Sequence, residues 1–351
     1  MHINFDSGEF VSVLTEILGF KAGLVVAPSR LEGMKATAPS EIQVHWPAPS
    51  TAPARMRAEE FQTIVSWLLF RVGALPQFVP GAHERLLAEQ AAAPPQLQAT
   101  YRLVLDAMAW HVKNQVLQRI ASGINPFTSP EPVDAMPWIE ECATKGGLAA
   151  FELALKIVGY VNHDAIAFSW NRIRRKQWKD GVDLDSLFRD AGFNPNHGHF
   201  FDQRYIDYLS TNAEEVGAIH WRQFERLTAE FFTRQGYNVE LGPGRGDGGV
   251  DVRVWRAGGN GPPLMLIQCK RQKDVVKQVY VKALYADVLD EKAASGLLVT
   301  TSRLEPCAAR WCAAHSYKID SAERPKLRTW IEQLRTSATE IVFDGSAIDT
   351  E

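Results

Sequence analysis

Two strand-like segments joined by a turn-rich one constrain the fold of this chain most. Val250 to Arg256 alternates apolar and polar residues, with Val250, Val252 and Val254 on one side, as in a half-buried strand. A second apolar segment runs from Leu264 to Lys270, and the intervening residues, AGGNGPP, favour a turn. These segments predict an antiparallel hairpin.

The register of this hairpin brings three polar side chains together. With the turn centred between Gly259 and Asn260, Asp251 lies directly opposite Gln268. Lys270 follows Gln268 by two residues, so the period of a strand directs both side chains to the face that carries Asp251. The register therefore predicts that a carboxylate, an amide oxygen and an ammonium group converge.

That combination suits the hydrolysis of a phosphodiester bond. Mg²⁺ takes oxygen ligands, usually a few protein carboxylates with water and phosphate oxygens. Asp251 offers the charge, Gln268 a neutral oxygen, and the main-chain carbonyl of Cys269 completes the predicted ligand set. Lys270 would lie beside the attacking water and the phosphate, either as a base or as an electrostatic clamp. The pattern predicts a metal-dependent nuclease.

A fourth candidate, Glu225, comes from the helix before the strands. On a wheel of about 100° per residue, the apolar residues between Trp221 and Phe232 form one arc. Glu225 falls at the edge of that arc, and Arg226 and Glu230 lie on the far side. A carboxylate in this position reaches the rim of a sheet and can bind the metal. The alternative is a surface glutamate paired with an arginine.

Short motifs follow one another along the last third of the chain. They are FERL at 224–227, QGY at 235–237, GDGGVD at 246–251, QCKR at 268–271 and VTTS at 299–302. In this order and spacing they resemble the catalytic domain of Mrr-type restriction endonucleases, a branch of the PD-(D/E)xK nuclease superfamily. The resemblance extends from His220 to Leu334.

The resemblance implies DNA cleavage that depends on Mg²⁺ or Mn²⁺. It makes Asp251, Gln268 and Lys270 the catalytic core and Glu225 the helix acid. Gln268 stands where the superfamily usually has Asp or Glu, which leaves the number of metals open. It also implies a role in bacterial restriction or anti-phage defence, with a homodimer or a defence-system partner protein. Two alternatives are a catalytically silent DNA-binding module and a structure-specific repair nuclease.

The elements around the hairpin predict an α/β fold with a mixed sheet, in the superfamily order αβββαβ. Besides the hairpin strands, we expect a helix at 213–235, a strand at 237–241, a helix at 275–289, a strand at 296–301 and helices at 305–315 and 325–334. The expected endonuclease domain spans 211–340, and an acidic tail follows at 341–351.

Residues 1–210 predict a mainly helical domain for recognition or partner binding. The expected helices are at 7–20, 59–72, 82–91, 96–120, 138–158 and 164–178. The segment 26–57 is rich in Pro, Ala and Ser, which is typical of an irregular or linker-like segment. The resemblance does not extend to this half.

Composition excludes several classes of protein. No apolar run approaches the roughly 20 residues that span a bilayer, and no leader-like segment opens the chain. The four cysteines lack CxxC spacing, which argues against a zinc site or a disulfide framework. These features predict a cytoplasmic protein with reduced cysteines and no membrane contact.

A cluster of basic residues near the motifs is a candidate DNA contact. Arg271, Lys273 and Lys277 follow the catalytic segment, and Arg245 lies in the glycine-rich loop before it. The alternative for the cluster is a solvated helix start. Asp247 in the same loop either shapes the metal site or caps an Asx turn.

A second basic cluster lies in the N-terminal half. Arg172, Arg174 and Arg175 stand between Trp170 and Trp178, a combination that suits phosphate contact with base stacking. An amphipathic helix end with buried tryptophans and solvated arginines would have the same pattern.

Overall fold

The N-terminal part of the chain is mainly helical. The computed structural model describes residues 2–123, 134–168, 180–189, 195–244, 249–259, 261–308, 310 and 318–335. The elements before residue 200 are β1 (His2–Phe5), α1 (Glu9–Ala22), β2 (Leu24–Val25), α2 (Pro28–Ala36), α3 (Ser40–Gln43), β3 (Ala54–Arg57), α4 (Ala58–Arg71), α5 (Ala82–Ala92), α6 (Pro95–Ala121), α7 (Met136–Phe168), β4 (Val182–Asp183) and α8 (Ser186–Arg189). Five of the six predicted helices are confirmed, and 164–178 extends outside the described residues.

The segment 26–57 is not the irregular linker that its composition predicts. It forms α2 and α3, and β3 pairs with β1 in an antiparallel ladder. Leu31, Ile42 and Trp46 are buried. Pro28 is compatible with α2 because it occupies the first turn, where the helix needs no backbone donor. Apolar residues spaced between the prolines therefore fold this segment onto the rest of the protein.

A mixed five-stranded sheet organises the C-terminal part. Its elements are α9 (Gln203–Thr211), a 3₁₀ helix (Ala213–Gly217), α10 (Trp221–Arg234), β5 (Asn238–Leu241), β6 (Val252–Trp255), β7 (Met265–Lys270), α11 (Gln278–Asp290), β8 (Ser295–Thr300), β9 (Ile319–Ala322) and α12 (Arg324–Leu334). The strand order is β5-β6-β7-β8-β9, with β5, β6 and β7 antiparallel and β7, β8 and β9 parallel.

The observed order agrees with the predicted αβββαβ arrangement, from α10 through β8. Strand β9 was not predicted. It has only four residues and pairs with β8 at the edge of the sheet. The closing helix at 325–334 is present as α12. The other closing helix, expected at 305–315, lies partly outside the described residues.

One hydrophobic core, which we call the main core, includes both sides of residue 210. It joins Phe10 and Leu68 of the N-terminal helices to Phe224, Ile267 and Trp330 of the sheet and its helices. Helices α5 to α7 have a separate core, the helical core, around Tyr101, Trp138 and Ile157. A third group, the α11 cluster, lies between the sheet and α11 and includes Val250, Leu266, Val276 and Leu284.

Helix α10 is buried on more sides than its wheel predicts. Glu230, expected on the far side, is fully buried. Its Oε2 accepts hydrogen bonds from the backbone N–H groups of His199, Phe200 and Phe201 (2.9, 2.7 and 3.2 Å), and its Oε1 accepts one from Arg234 (2.7 Å). The loop before α9 covers the helix there, so this carboxylate fixes the loop to α10.

None of the helices in the described part of the chain is both long enough and apolar enough to cross a membrane.

Candidate active site

The hairpin has the predicted register, with one departure at Asp251. The ladder pairs Val252 with Ile267, as a turn centred between Gly259 and Asn260 requires. The N–H of Asp251 also donates to the carbonyl of Ile267, at 2.9 Å. Two consecutive residues of one strand therefore face one residue of β7, which is the arrangement of a β-bulge.

The bulge breaks the alternation that was expected from Val250 onward. Val250 packs in the α11 cluster, whereas Val252 belongs to the main core, beneath the opposite face of the sheet. Asp251 consequently does not pair directly with Gln268. Its Oδ2 instead accepts a hydrogen bond of 2.6 Å from the N–H of Cys269. The carboxylate thus remains beside the β7 segment that carries Gln268 and Lys270.

Asp251 forms a carboxyl pair with Glu225 of α10. Glu225 is buried and shares a hydrogen bond with Asp251. Burial raises the pKa of Glu225 to about 7, with a further increase from the nearby Asp251 charge and an opposing effect from Arg222. Arg222 donates to Glu225 Oε2 at 2.8 Å and to the carbonyl of Gly242 at 2.7 Å. Glu225 therefore reaches the sheet rim and also pairs with an arginine, although it is not a surface residue.

The amide of Gln268 is oriented by the glycine-rich turn. Its Nε2 donates to the carbonyl of Gly249 at 2.8 Å. Gly249 has a φ of 101°, and a Cβ at this position would lie 2.9 Å from Nε2, so a larger residue would clash. The buried Oε1 accepts no hydrogen bond from any described residue. A fixed, buried oxygen without a donor is suited to a cation.

Cys269 contributes its main chain to this region. Burial raises the pKa of its thiol well above the ordinary value, and Sγ lies 3.6 Å from the hydroxyl of Thr228 on α10. The thiol is consequently a poor metal ligand. In the described part of the chain, no group of three or more His, Cys, Asp or Glu side chains is arranged to hold a metal. The candidate set is two carboxyl groups and the Gln268 amide.

Lys270 lies against an aromatic ring that the sequence reading missed. Its Nζ is 4.8 Å from the ring centroid of Tyr280, in the first turn of α11. No described carboxylate lies within salt-bridge distance of this ammonium group. Tyr280 lies ten residues after Lys270 and in no motif, so no local pattern predicts this contact.

A basic groove of about 1460 Å³ lies beyond the carboxyl ends of β7 and β8. Six cationic residues line it, against three acidic ones; the cationic ones are Arg271, Lys273, Lys277, Arg303, Arg324 and Arg328. Arg303 directly follows the VTTS motif, whereas Arg324 and Arg328 belong to α12, outside every motif, so the motifs did not predict their place in the groove. Within the described residues, Lys273, Lys277, Arg303 and Arg328 have no ion-pair partner.

Several sequence candidates lie outside the described residues. These are Arg172, Arg174 and Arg175 of the N-terminal basic cluster, and Arg245 and Asp247 of the glycine-rich loop. Of the candidates that the structure describes, Glu225, Asp251, Gln268 and Cys269 lie together. Lys270 ends strand β7, and the basic groove lies beyond it.

Comparison with known proteins finds a similar solved structure and a family model, each matching part of the chain. No curated protein matches the chain. The MspJI restriction endonuclease in complex with a 27-mer oligonucleotide is 22% identical, with a TM-score of 0.25, over 36% of this chain and 29% of the other. The chain thus spans less than a third of that structure's length. Residues 216–331, about a third of the chain, match the family Mrr_cat, described as a restriction endonuclease.

Proposed function

We propose that the chain is a metal-dependent endonuclease that hydrolyses phosphodiester bonds in DNA. The observation that carries the proposal is the buried Glu225–Asp251 carboxyl pair beside the oxygen of Gln268, to which no described residue donates a hydrogen bond. This constellation lies inside the segment that matches the restriction endonuclease family. Two adjacent carboxyl groups repel when both are ionised, and a divalent cation bound between them would offset that repulsion.

The residues present fit Mg²⁺ or Mn²⁺. Asp251 and Glu225 supply carboxylate oxygens, Gln268 its Oε1, and Cys269 its main-chain carbonyl. All are hard oxygen donors, which these ions prefer. A bound ion of this kind would supply Lewis-acid polarisation of the phosphate and a more acidic water. Because Gln268 is neutral, the ligand set carries one negative charge fewer than it would with an acidic residue. We therefore expect phosphate oxygens of the DNA to help hold the ion.

Lys270 is the residue that we assign to the reacting phosphate. It follows the ligand segment on β7 and carries its charge without a described carboxylate partner. Its ammonium can therefore donate to a phosphate oxygen or to the attacking water and stabilise the charge of the transition state. Arg222 holds Glu225 and the Gly242 carbonyl, so it keeps the helix acid beside the hairpin.

The basic groove is the proposed path of the DNA backbone. Arg271, Lys273 and Lys277 form the wall that follows β7, next to Lys270. Lys273 and Lys277 have no ion-pair partner among the described residues, so both are available to phosphates, whose binding releases condensed counterions from the DNA. This wall of the groove follows Lys270 directly in the chain. A DNA backbone bound in the groove would therefore pass close to Lys270.

In this proposal residues 1–210 serve recognition of DNA, of a modified base or of a partner protein. The biological setting that we propose is bacterial restriction or anti-phage defence. A homodimer would place one site on each DNA strand, so that both strands are cut in one binding event. Light scattering tests this: a monomer at micromolar concentration that still cuts both strands would exclude the dimer.

Plasmid cleavage tests the proposed activity. Supercoiled and linear DNA are incubated with the wild type, Asp251→Asn and Lys270→Met, in Mg²⁺, in Mn²⁺ and in EDTA. We expect cutting that requires the ion and falls at least 100-fold in both variants, because each removes one charged group from the transition state. DNA binding in EDTA is expected to persist.

Other results would point to the alternatives. Binding without cleavage in every ion would favour a silent DNA-binding module. Cleavage of branched DNA in preference to linear or methylated DNA would favour a repair nuclease. Cleavage unaffected by Asp251→Asn would refute the site.

A further inference from the structure

The contact between Lys270 and Tyr280 differs from the usual environment of a lysine beside acidic residues. Cys269, the neighbour of Lys270, donates its N–H to Asp251, so the carboxyl pair lies close in space to this end of β7. Nonetheless, no described carboxylate lies within salt-bridge distance of Nζ, and the ammonium is 4.8 Å from the Tyr280 ring centroid. This separation requires a cause, because opposite charges attract.

The Tyr280 ring is held by its surroundings. It is half-buried in the first turn of α11 and packs against the α11 cluster, which includes Val250 and Val276. Val250 precedes Asp251, so the same apolar group supports the ring and the strand that carries the carboxylate. The ring therefore has a fixed place relative to the candidate site, whereas a lysine side chain with four rotatable bonds has none of its own.

We propose that Tyr280 is a positioning residue: its ring holds the Lys270 ammonium and keeps it away from Asp251 and Glu225. The inference rests on the proposed function, in which Lys270 acts on the phosphate. A π face attracts a cation without forming a salt bridge. The ammonium thus keeps its full charge and its donors for the substrate, and the carboxyl groups remain available to a metal ion.

The proposed role needs the aromatic ring of Tyr280 and not its hydroxyl group, and substitutions can distinguish the two. The Tyr280 hydroxyl forms no hydrogen bond with another described residue. Phenylalanine has the same π face, whereas leucine fills similar space without one. The proposal therefore predicts that Tyr280→Phe behaves as the wild type and that Tyr280→Leu does not.

The experiment compares these variants with Val279→Ala, a control at the neighbouring, exposed position of α11. First, lysines labelled with ¹³C at Cε are observed by NMR in the metal-free protein, and the Lys270 signal is assigned by its loss in Lys270→Met. The ring current of Tyr280 should shift this signal upfield in the wild type, Tyr280→Phe and Val279→Ala. The shift should vanish in Tyr280→Leu.

Second, single-turnover cleavage is measured with saturating DNA and Mg²⁺, and Mn²⁺ binding is measured without DNA by electron paramagnetic resonance. For Tyr280→Leu we expect a rate roughly 2- to 30-fold lower, the range that a cation–π contact covers. Its Mn²⁺ affinity should also fall, because the released ammonium competes for the carboxyl groups. Affinity for DNA should not change.

The outcomes distinguish this inference from the proposed function. Absence of an upfield Lys270 signal in the wild type, or a Leu variant that matches the Phe variant, overturns the positioning role. If the wild type does not cleave DNA, the proposed function fails, while the NMR signal and Mn²⁺ affinity still decide whether the ring holds the lysine. Should Tyr280→Leu fail to fold, Tyr280→Met supplies an unbranched side chain without a ring.

Discussion

The main core and the helical core differ in how they accommodate charge. Asp202, Arg204, Glu225, Glu230 and Asp251 are all buried within or beside the main core. Among the described residues of α5, α6 and α7 no charged side chain is buried, and their ion pairs are partly exposed, such as Lys156 with Glu89. The helical core is thus held by apolar contacts, whereas the region around the sheet also depends on specific polar pairs.

The difference has a physical meaning. A buried charge costs several kcal/mol unless hydrogen bonds and an opposite charge compensate it. Four of the described buried carboxyl groups show two different environments. Asp202 and Glu230 fix the segment before α9 through several hydrogen bonds each, whereas Glu225 and Asp251 lie together, with Arg222 bonded to Glu225. Two carboxyl groups placed side by side in a buried position are expected of a reaction centre.

The largest expected effect separates buried from exposed ion pairs. Asp202 bonds Arg204 twice, at 2.8 and 2.9 Å, and both side chains are fully buried. Asp202→Ala should lower the free energy of unfolding by about 3–5 kcal/mol, since it leaves Arg204 buried without its main partner. Lys156→Ala, on α7 at the surface of the helical core, should lower the free energy of unfolding by at most about 1 kcal/mol. Urea unfolding gives both values, and equal costs would remove the contrast between the cores.

A second substitution tests whether the main core and the helical core unfold separately. Ile157 is fully buried in the helical core, and Ile157→Ala should cost about 2–5 kcal/mol. Because this core is a separate cluster, the loss should appear as earlier hydrogen exchange of α5 to α7, with exchange of β6 and β7 unchanged. Uniform acceleration across the sheet would show that the two cores unfold as one.

A smaller effect concerns pH and the carboxyl pair. The pKa of Glu225 lies at about 7 in the folded protein, above its ordinary value of 4.5, so the folded state holds this proton more tightly. The associated stability is complete below about pH 4.5 and is lost as the pH rises through 7. Thermal unfolding of the metal-free protein should show this fall, and Glu225→Gln should flatten it. An unchanged profile in the variant would contradict the assignment.

The smallest effect concerns single cations of the groove. Arg328 lines the groove, whereas Lys326 on the same helix lies 3.5 Å from Asp320 and outside it. Arg328→Ala should reduce the slope of log K for DNA against log salt by about 1, and Lys326→Ala should leave it unchanged. Fluorescence anisotropy in EDTA measures both. Similar slopes for the two variants would argue that the groove is not the DNA path.

Sequence reasoning succeeded where local patterns determine the structure. Turn residues between Ala257 and Pro263 set the hairpin register, and the helical wheel located Glu225 at the border of the α10 apolar arc. The order of strands and helices likewise followed from periodicity. Each of these features depends on residues close together in the chain.

It was less successful where distant segments meet. The strand pattern alternates without interruption through Val250, so nothing local reveals the bulge that redirects Asp251. Glu230 is buried by a loop about 30 residues earlier, and Tyr280 meets Lys270 only because α11 packs against β7. Segment 26–57 is folded because its apolar residues pack in the main core. These features depend on tertiary packing, which one-dimensional patterns do not encode.

The metal centre is tested most directly by diffraction from a crystal soaked in Mn²⁺ and measured at the manganese absorption edge. We predict one anomalous peak about 2.1 Å from both an Asp251 carboxylate oxygen and Gln268 Oε1, absent from an Asp251→Asn crystal. A peak elsewhere, or none at a concentration that supports cleavage, would contradict the assignment of this site.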